Sequence, residues 1–222
     1  MRGDGRTATG DSDDGEVVRC GDVIVWQLLT DDFRRITENG MTPNVTIRRA
    51  TAEDGRLIYG WRTEPSTSVF QPMLLLSLAD VRAMLANRAA SAIMPNAHGT
   101  LQWLICAQNE PVGWITVSIS PDDRRHAKGS IGYTIGEQYR GRGYGSAGLA
   151  ALLPIALGRN GLDLERLEAV AAVNNLGSRR VLEHNGFTWE GVSRGLLLIN
   201  GERVDHANYG LLRSDWEGVH DR

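Results

Sequence analysis

Residues 135–148 read Ile-Gly-Glu-Gln-Tyr-Arg-Gly-Arg-Gly-Tyr-Gly-Ser-Ala-Gly, a turn of glycines and arginines between an apolar strand-like segment and an apolar helix-like one. Without a Cβ, Gly141, Gly143 and Gly145 leave backbone N–H groups uncovered. The start of the following helix adds unpaired donors and the positive end of the helix dipole, so the chemistry on offer is the holding of a phosphate or pyrophosphate. Arg140 and Arg142 add positive charge. About 30 residues on, Asn175-Leu176-Gly177-Ser178 opens a second polar helix start, continuing to His184-Asn185-Gly186-Phe187.

Two other nucleotide-binding readings compete. Gly143 to Gly148 matches G-x-G-x-x-G, and Asp163 lies 20 residues beyond Gly143. In a dinucleotide fold that acidic residue ends the second strand, whereas Asp163 precedes the apolar run 164–173. A P-loop would need Gly-Lys-Ser/Thr after the glycines, and none is present. The five histidines share no metal-ligand spacing, so no metal site is expected.

The surrounding pattern must hold these segments together. Residues 45–49 read as a strand, Thr51 as the cap of a helix through Arg62 with Glu53 and Asp54 in its first turn, and Ser77 as the cap of a second helix ending near Arg88. Residues 101–108 and 112–120 read as a hairpin turned at Asn109-Glu110-Pro111, followed by a charged loop over 121–128 and a strand over 130–135. A helix is expected over 144–159, kinked at Pro154 and stopped by Asn160-Gly161, then a strand over 164–173 and a helix over 176–185 closed by Gly186. Residues 187–199 and 203–212 form a hairpin turned by Asn200-Gly201. Irregular alternation with several hairpins predicts a mixed α/β (α+β) fold, one sheet with helices on both faces.

Composition narrows the classes further. The 222 residues are 41% hydrophobic, enough for one large domain with an extension. Residues 1–40 carry nine acidic and five basic side chains and form an acidic N-terminal extension, its first 15 residues too polar to order themselves; the second unit is 41–222. Residues 17–26 could make a small hairpin, and translation starting at Met41 is an open alternative. With 18 acidic and 19 basic residues, 41–222 offers no basic surface for nucleic acid. No apolar stretch approaches the roughly 20 residues that span a bilayer, and no leader pattern opens the chain, so no membrane partner and a cytoplasmic location are expected. Cys20 and Cys106 are the only cysteines, and Cys106, in an apolar run, reads as a buried free thiol suited to a reducing compartment.

Gln138-Tyr139-Arg140-Gly141-Arg142-Gly143, followed by the Asn175–Phe187 segment, resembles the GCN5-related N-acetyltransferase (GNAT) superfamily, with its Q-x-x-G-x-G loop and N-x-x-S helix. Gly186 to Arg194, Gly201 to Asp205 and Tyr209 to Trp216 resemble its RimJ/RimL-type branch, and the likeness spans roughly 44–217. The resemblance implies a largely antiparallel mixed sheet with a central splayed strand pair. It implies acetyl-CoA as co-substrate, with Ile135 offering backbone groups to the pantetheine arm, Gln138, Arg140, Gly141, Arg142, Gly143, Tyr144, Gly145 and Ser146 holding the pyrophosphate, and Asn175 on the second wall. The implied reaction is direct attack, in a ternary complex, by a primary amine of a small molecule or protein N-terminus, with an N–H near Ile135 stabilising the oxyanion. A monomer or homodimer is expected.

Proton transfer is where this sequence departs from the family. The common tyrosine seven residues after the helix asparagine is Leu182 here, and Ser178 resembles the serine donor of the RimL-type branch. Two acidic positions of the branch are Ser130 and Ala147, leaving Glu137, Glu168 and Glu190 as candidate bases. Tyr133 is either a half-buried strand aromatic or a substrate contact, and Arg179 and Arg180 either a solvated helix face or phosphate contacts. Trp61-Arg62-Thr63-Glu64-Pro65 resembles a stretch of relatives acting on amino sugars and small amines, which puts the acceptor pocket under 61–76, with apolar residues 69–76 as lid or dimer contact. The alternative function is an acyl-CoA-binding regulatory or interaction module that has lost the chemistry.

Overall fold

The computed structural model describes residues 43–72 and 74–220; the readings made for 1–42 and for Met73 lie outside them. The strands are β1 (Val45–Arg49), β2 (Gly99–Ala107), β3 (Glu110–Ile119), β4 (Lys128–Ile135), β5 (Arg166–Ala172), β6 (Thr188–Ile199) and β7 (Glu202–Leu212). The helices are α1 (Gly55–Thr63), α2 (Leu78–Ala89), α3 (Pro121–Arg125), α4 (Tyr144–Leu157), α5 (Leu176–His184) and α6 (Arg213–His220). One seven-stranded sheet runs β1-β2-β3-β4-β5-β7-β6.

Every neighbouring pair is antiparallel except β4 and β5, which run parallel and meet only from Lys128↔Arg166 to Ser130↔Glu168. Beyond that point β4 stays with β3 as far as Ile135, and β5 stays with β7 as far as Ala172. The two strands therefore part into a V, the splayed pair that the resemblance implies. The closed end is stitched by charge. Lys128 Nζ lies 3.2 Å from Asp123 and 3.4 Å from Glu168, while Arg166 reaches Glu168 at 3.0 Å and Glu190 at 2.6 Å.

Alternation along β2 explains the two cores. Leu101, Trp103 and Ile105 join Leu149, Leu152 and Leu153 of α4 on one face, whereas Leu104 and Cys106 join Ile58 and Trp61 of α1 and Val81 and Leu85 of α2 on the other. Helix α4 carries its apolar residues into that first core, and Pro154 lies within it, the helix continuing to Leu157 before Gly158 ends it.

Local chemistry sets the boundaries. Ser77 and Asp80 close a capping box at α2, and Thr51 with Asp54 does so at the 3-10 turn Ala52–Asp54 ahead of α1. Residues 121–125, expected as loop, form α3: Ser120 accepts from Asp123 N–H at 3.0 Å, and Pro121 sits at its first position, a start signal hidden inside a charged run. The β2–β3 turn comes one residue early, with Gln108 (φ 52°) and Asn109 (φ 67°) in the left-handed region, while Asn200 (φ 50°) and Gly201 (φ 85°) turn the last hairpin as expected. Helix α6 was not foreseen. Its first residue, Arg213, is buried and donates to Leu164 O (2.8 Å) and Asp163 Oδ1 (2.6 Å), which ties the helix to the approach to β5.

Cys106 is buried on β2 against α1 and α2, and the reading made of its thiol turns on Cys20, which lies outside the described residues. No helix among the described residues is long and apolar enough to cross a membrane.

Candidate functional site

The glycine turn leaves its backbone uncovered at the start of α4. Gly143 is the N-cap of α4 with φ 78°, a left-handed conformation that a side chain would strain. Ala147 N–H makes the first helical bond, to Gly143 O at 3.0 Å, so the N–H groups of Tyr144, Gly145 and Ser146 have no helix carbonyl, and no side chain caps them. A Cβ on Gly141 would project into open space, so the turn presents bare backbone to whatever approaches. An anion fits here on geometry and on the helix dipole.

Strand β4 ends beside this turn. Gly136 N–H donates to Val112 O at 3.0 Å, which makes Gly113↔Ile135 the kind of antiparallel pair whose own N–H and C=O face away from the partner strand. The backbone groups of Ile135 therefore point to the side from which β5 has withdrawn. Gly136 is required by close approach: a Cβ there would lie 2.4 Å from Nε1 of Trp61.

A cavity of about 410 Å3 occupies the V and continues onto the α1–α2 face. One side is the expected cofactor wall, formed by Ile135, Arg140, Gly141, Tyr144, Gly145 and Ser146 beside Gly143, and by Asn175 and Ser178 from the start of α5. The opposite side is formed by Ser66, Thr67, Phe70 and Gln71, within the segment read as the acceptor region. Two expected residues stand apart: Gln138 and Arg142 are exposed and do not line the cavity. Arg140 lines it, but its guanidinium turns away from the helix N-terminus, donating from Nε to Ile135 O (2.9 Å) and from Nη2 towards Thr67 Oγ1 (3.3 Å) and Glu64 Oε2 (3.4 Å).

On the second wall Asn175 caps α5, its side-chain oxygen accepting from Ser178 N–H at 3.1 Å. The Tyr133 hydroxyl lies 2.8 Å from Ser178 Oγ and donates to Ser178 O at 3.0 Å, while its ring packs against the core beside the cavity that the residue lines. Burial pushes the Tyr133 hydroxyl up to about 12, against the opposing effect of the Ser178 hydrogen bond. Its proton is thus retained at any working pH. Leu182, at the position of the family tyrosine, is buried in the core.

The three candidate bases fare differently from their sequence neighbours. Glu168 and Glu190 pair with Arg166 at the closed end of the V and do not line the cavity. The Arg166 guanidinium also holds the Glu190 carboxyl below its usual range. Glu137 is exposed at the cavity rim and accepts from Ser66 Oγ at 2.8 Å. Of the acceptor-side residues, Trp61 is core, buried and stacked on Trp114 with centroids 6.1 Å apart. Arg179, part-exposed on α5, donates to Tyr209 Oη at 3.0 Å and to Val173 O at 3.2 Å.

Three contributions escaped sequence reasoning. Gln71 Nε2 reaches Tyr133 O at 3.4 Å, Thr67 Oγ1 donates to Trp61 O at 3.0 Å, and Asn200 at the hairpin tip reaches Ser68 O at 3.4 Å. The Gln71 and Asn200 contacts join segments 62 and 132 residues apart, and only the Thr67 bond, six residues back to Trp61, is local; its signal was the polarity of Ser66 to Ser68 within an otherwise apolar stretch. Among the described residues no group of His, Cys, Asp or Glu side chains is assembled as a metal site.

The acetyltransferase (GNAT) domain family matches residues 44–188. YdaF of Bacillus subtilis (strain 168), provisionally named a ribosomal N-acetyltransferase, is 37% identical over 102 residues, which are 46% of this chain and 55% of that one. The alignment therefore spans about half the length of that relative. An uncharacterized N-acetyltransferase of Bacillus licheniformis is 23% identical over 180 residues, 80% of this chain and 97% of that one. RimJ of Mycobacterium smegmatis, solved in complex with CoA-disulfide, shares the fold with a TM-score of 0.66 at 21% identity, over 79% of this chain and 86% of that one.

Proposed function

The chain belongs to the GNAT acetyltransferase family, and we propose that it transfers the acetyl group of acetyl-CoA to an amine of low basicity, an α-amine of a protein N-terminus or a similar small amine. The observation that carries this reading is the single cavity wall on which the bare N–H groups of Tyr144, Gly145 and Ser146 follow the outward-facing backbone of Ile135. Acetyl-CoA bound there supplies an activated acyl group, on whose carbonyl an amine forms the new C–N bond as the thiolate departs.

The chain's own residues do the remainder. The α4 N-terminus binds the pyrophosphate, the positive dipole end and three unpaired donors replacing its hydration. The Ile135 N–H, turned into the V, meets the negative charge that develops on the acetyl oxygen. Ser178 Oγ gives a proton to the leaving sulfur, a group whose thiol ionises at about 8.5 and so needs only a weak donor. Tyr133, 2.8 Å from Ser178 Oγ, orients that hydroxyl, and solvent water restores the proton that Ser178 gives up.

Acceptor basicity follows from what the acceptor side does not hold. No carboxylate among the described residues lines the cavity, and Glu137 stands at its rim. Bulk water then takes the ammonium proton, and an amine of pKa about 8 is neutral in roughly one molecule in ten at pH 7 against about one in 2500 for a lysine-like amine. The name of YdaF, a ribosomal N-acetyltransferase, agrees with a protein acceptor.

Free-thiol release from acetyl-CoA with an α-amine peptide and a lysine-side-chain peptide, each followed against pH, tests the proposal. Turnover should favour the α-amine at pH 7, and each kcat/KM should rise with pH to the acceptor's own pKa. Identical apparent pKa values for both acceptors would overturn the water-acceptor scheme and assign the base to Glu137. Tight acetyl-CoA binding without turnover on any amine would support a non-catalytic acyl-CoA-binding module instead.

A further inference from the structure

The residue Arg140 sits in the middle of the anion-binding turn, yet its guanidinium is spent elsewhere. Its Nε donates to Ile135 O at 2.9 Å, and its Nη2 lies 3.3 Å from Thr67 Oγ1 and 3.4 Å from Glu64 Oε2. Glu64, the residue just after α1, also accepts from the backbone N–H of Glu137, at 3.0 Å through Oε2 and 3.2 Å through Oε1. Ser66 adds a third crossing by donating to Glu137 at 2.8 Å. Residues 64–67 and residues 135–140, some 70 positions apart in sequence, are therefore fastened to each other by polar bonds.

Both fastened segments line or border the cavity, one on the donor side and one on the acceptor side. We propose that Glu64 and Arg140 are positioning residues, a staple through which the acceptor loop holds the backbone of Ile135 and through which occupation of the donor site orders the acceptor loop. This rests on the acetyl-CoA reading of the site and assigns Arg140 to the junction between the two substrates rather than to the pyrophosphate.

The partition of charges fits that role. Glu64 is a single carboxylate serving two donors, one of them a guanidinium, and charge-assisted bonds of this kind are stronger than neutral ones. Ile135 presents one carbonyl and one N–H to the V, and Arg140 engages the carbonyl, leaving the N–H as the group available to an acyl oxygen. If Arg140 were released, both the strand end and the loop at Thr67 would lose a tether at once. A phosphate ligand would have no reason to be tied to either.

Calorimetric titration with acetyl-CoA and amide hydrogen exchange on the full chain test this together. Arg140→Met should keep its acetyl-CoA affinity within about threefold of wild type, since no phosphate contact is removed, whereas loss of a charge-assisted phosphate bond would cost about tenfold or more. In wild type, acetyl-CoA should slow exchange of the amides of residues 64–71, and in Arg140→Met and Glu64→Ala that protection should be absent although the ligand is bound. A tenfold or larger loss of affinity in Arg140→Met, with loop protection intact in Glu64→Ala, would overturn the staple and return Arg140 to the pyrophosphate. Should wild type fail to bind acetyl-CoA, the functional reading falls separately, and the staple is decided by the ligand-free proteins: the Glu137 amide must exchange at least about tenfold faster in Glu64→Ala than in wild type, and an unchanged rate sinks it.

Discussion

The two ends of the β4–β5 V are built from opposite materials. At the closed end three residue pairs are backed by a ladder of side-chain charges, Asp123–Lys128–Glu168–Arg166–Glu190, and nothing there lines the cavity. At the open end the strands have parted, the groups that matter are backbone N–H and C=O, and the side chains that approach them come from distant segments. The difference separates stability from function: charges on a half-exposed sheet surface hold a hinge in place, while backbone dipoles in a cleft meet a ligand at fixed positions without reorganising.

The largest effect should come from the open end. Gly143→Val places a branched side chain at φ 78° on the N-cap that faces the anion, and acetyl-CoA affinity should fall at least about a hundredfold by calorimetric titration, close to 3 kcal/mol. Strain at the turn should cost stability as well, but less, about 1–2 kcal/mol. A folded variant with wild-type affinity would remove the cradle from the site.

Next in size is Ser178→Ala, for which turnover should drop about tenfold to a hundredfold with acetyl-CoA affinity unchanged. Tyr133→Phe should lose a comparable factor. Because the two hydroxyls are 2.8 Å apart, the double variant should be little worse than either single one, whereas independent roles would multiply. Full activity in Ser178→Ala would hand the donor role to water.

Closed-end substitutions should show the reverse pattern. Arg166→Met removes the guanidinium shared by Glu168 on β5 and Glu190 on β6, two strands that flank β7; since the group is part-exposed, about 1 kcal/mol of stability should go, measured as a lower unfolding midpoint. Acetyl-CoA affinity should not move. A variant that kept its stability and lost its affinity would collapse the distinction between the two ends.

How far the sequence foretold these ends also differs between them. The glycine turn, the N-x-x-S helix start and the Asn200-Gly201 hairpin were legible because each is a local backbone requirement written in adjacent residues. Helix α3 was missed since Pro121 to Arg125 looked like a charged loop, although Ser120 and Asp123 carried its cap. Arg140 illustrates the limit better. Position in the turn suggested a phosphate ligand, but its partners Glu64 and Thr67 enter from over 70 residues away, and no local pattern announces such a meeting. Glu168 and Glu190 were candidate bases only until Arg166 was seen between them.

The smallest effects, and the ones that separate the two ends by pH alone, follow from the direction of two ionisations. Tyr133 at the open end is raised from 10.0 to about 12 by burial, so its folded-state pKa lies above its unfolded one. Its contribution to stability is complete below the unfolded pKa and is lost as pH rises from about 10 through about 12. Glu190 at the closed end is depressed by the Arg166 hydrogen bond, so its contribution is complete above the ordinary carboxylate range and is lost as pH falls through that range. Unfolding midpoints should therefore show Tyr133→Phe with a shallower alkaline decline than wild type between pH 10 and 12, the part due to Tyr209 remaining, and with the acid limb untouched. Glu190→Gln should make the acid limb shallower, the parts due to Asp80 and Asp123 remaining, and leave the alkaline one as it was. Profiles that run parallel to wild type in both variants would mean that neither group feels a different environment in the folded chain, and the contrast drawn between a charged closed end and a buried tyrosine at the open end would lose its electrostatic basis.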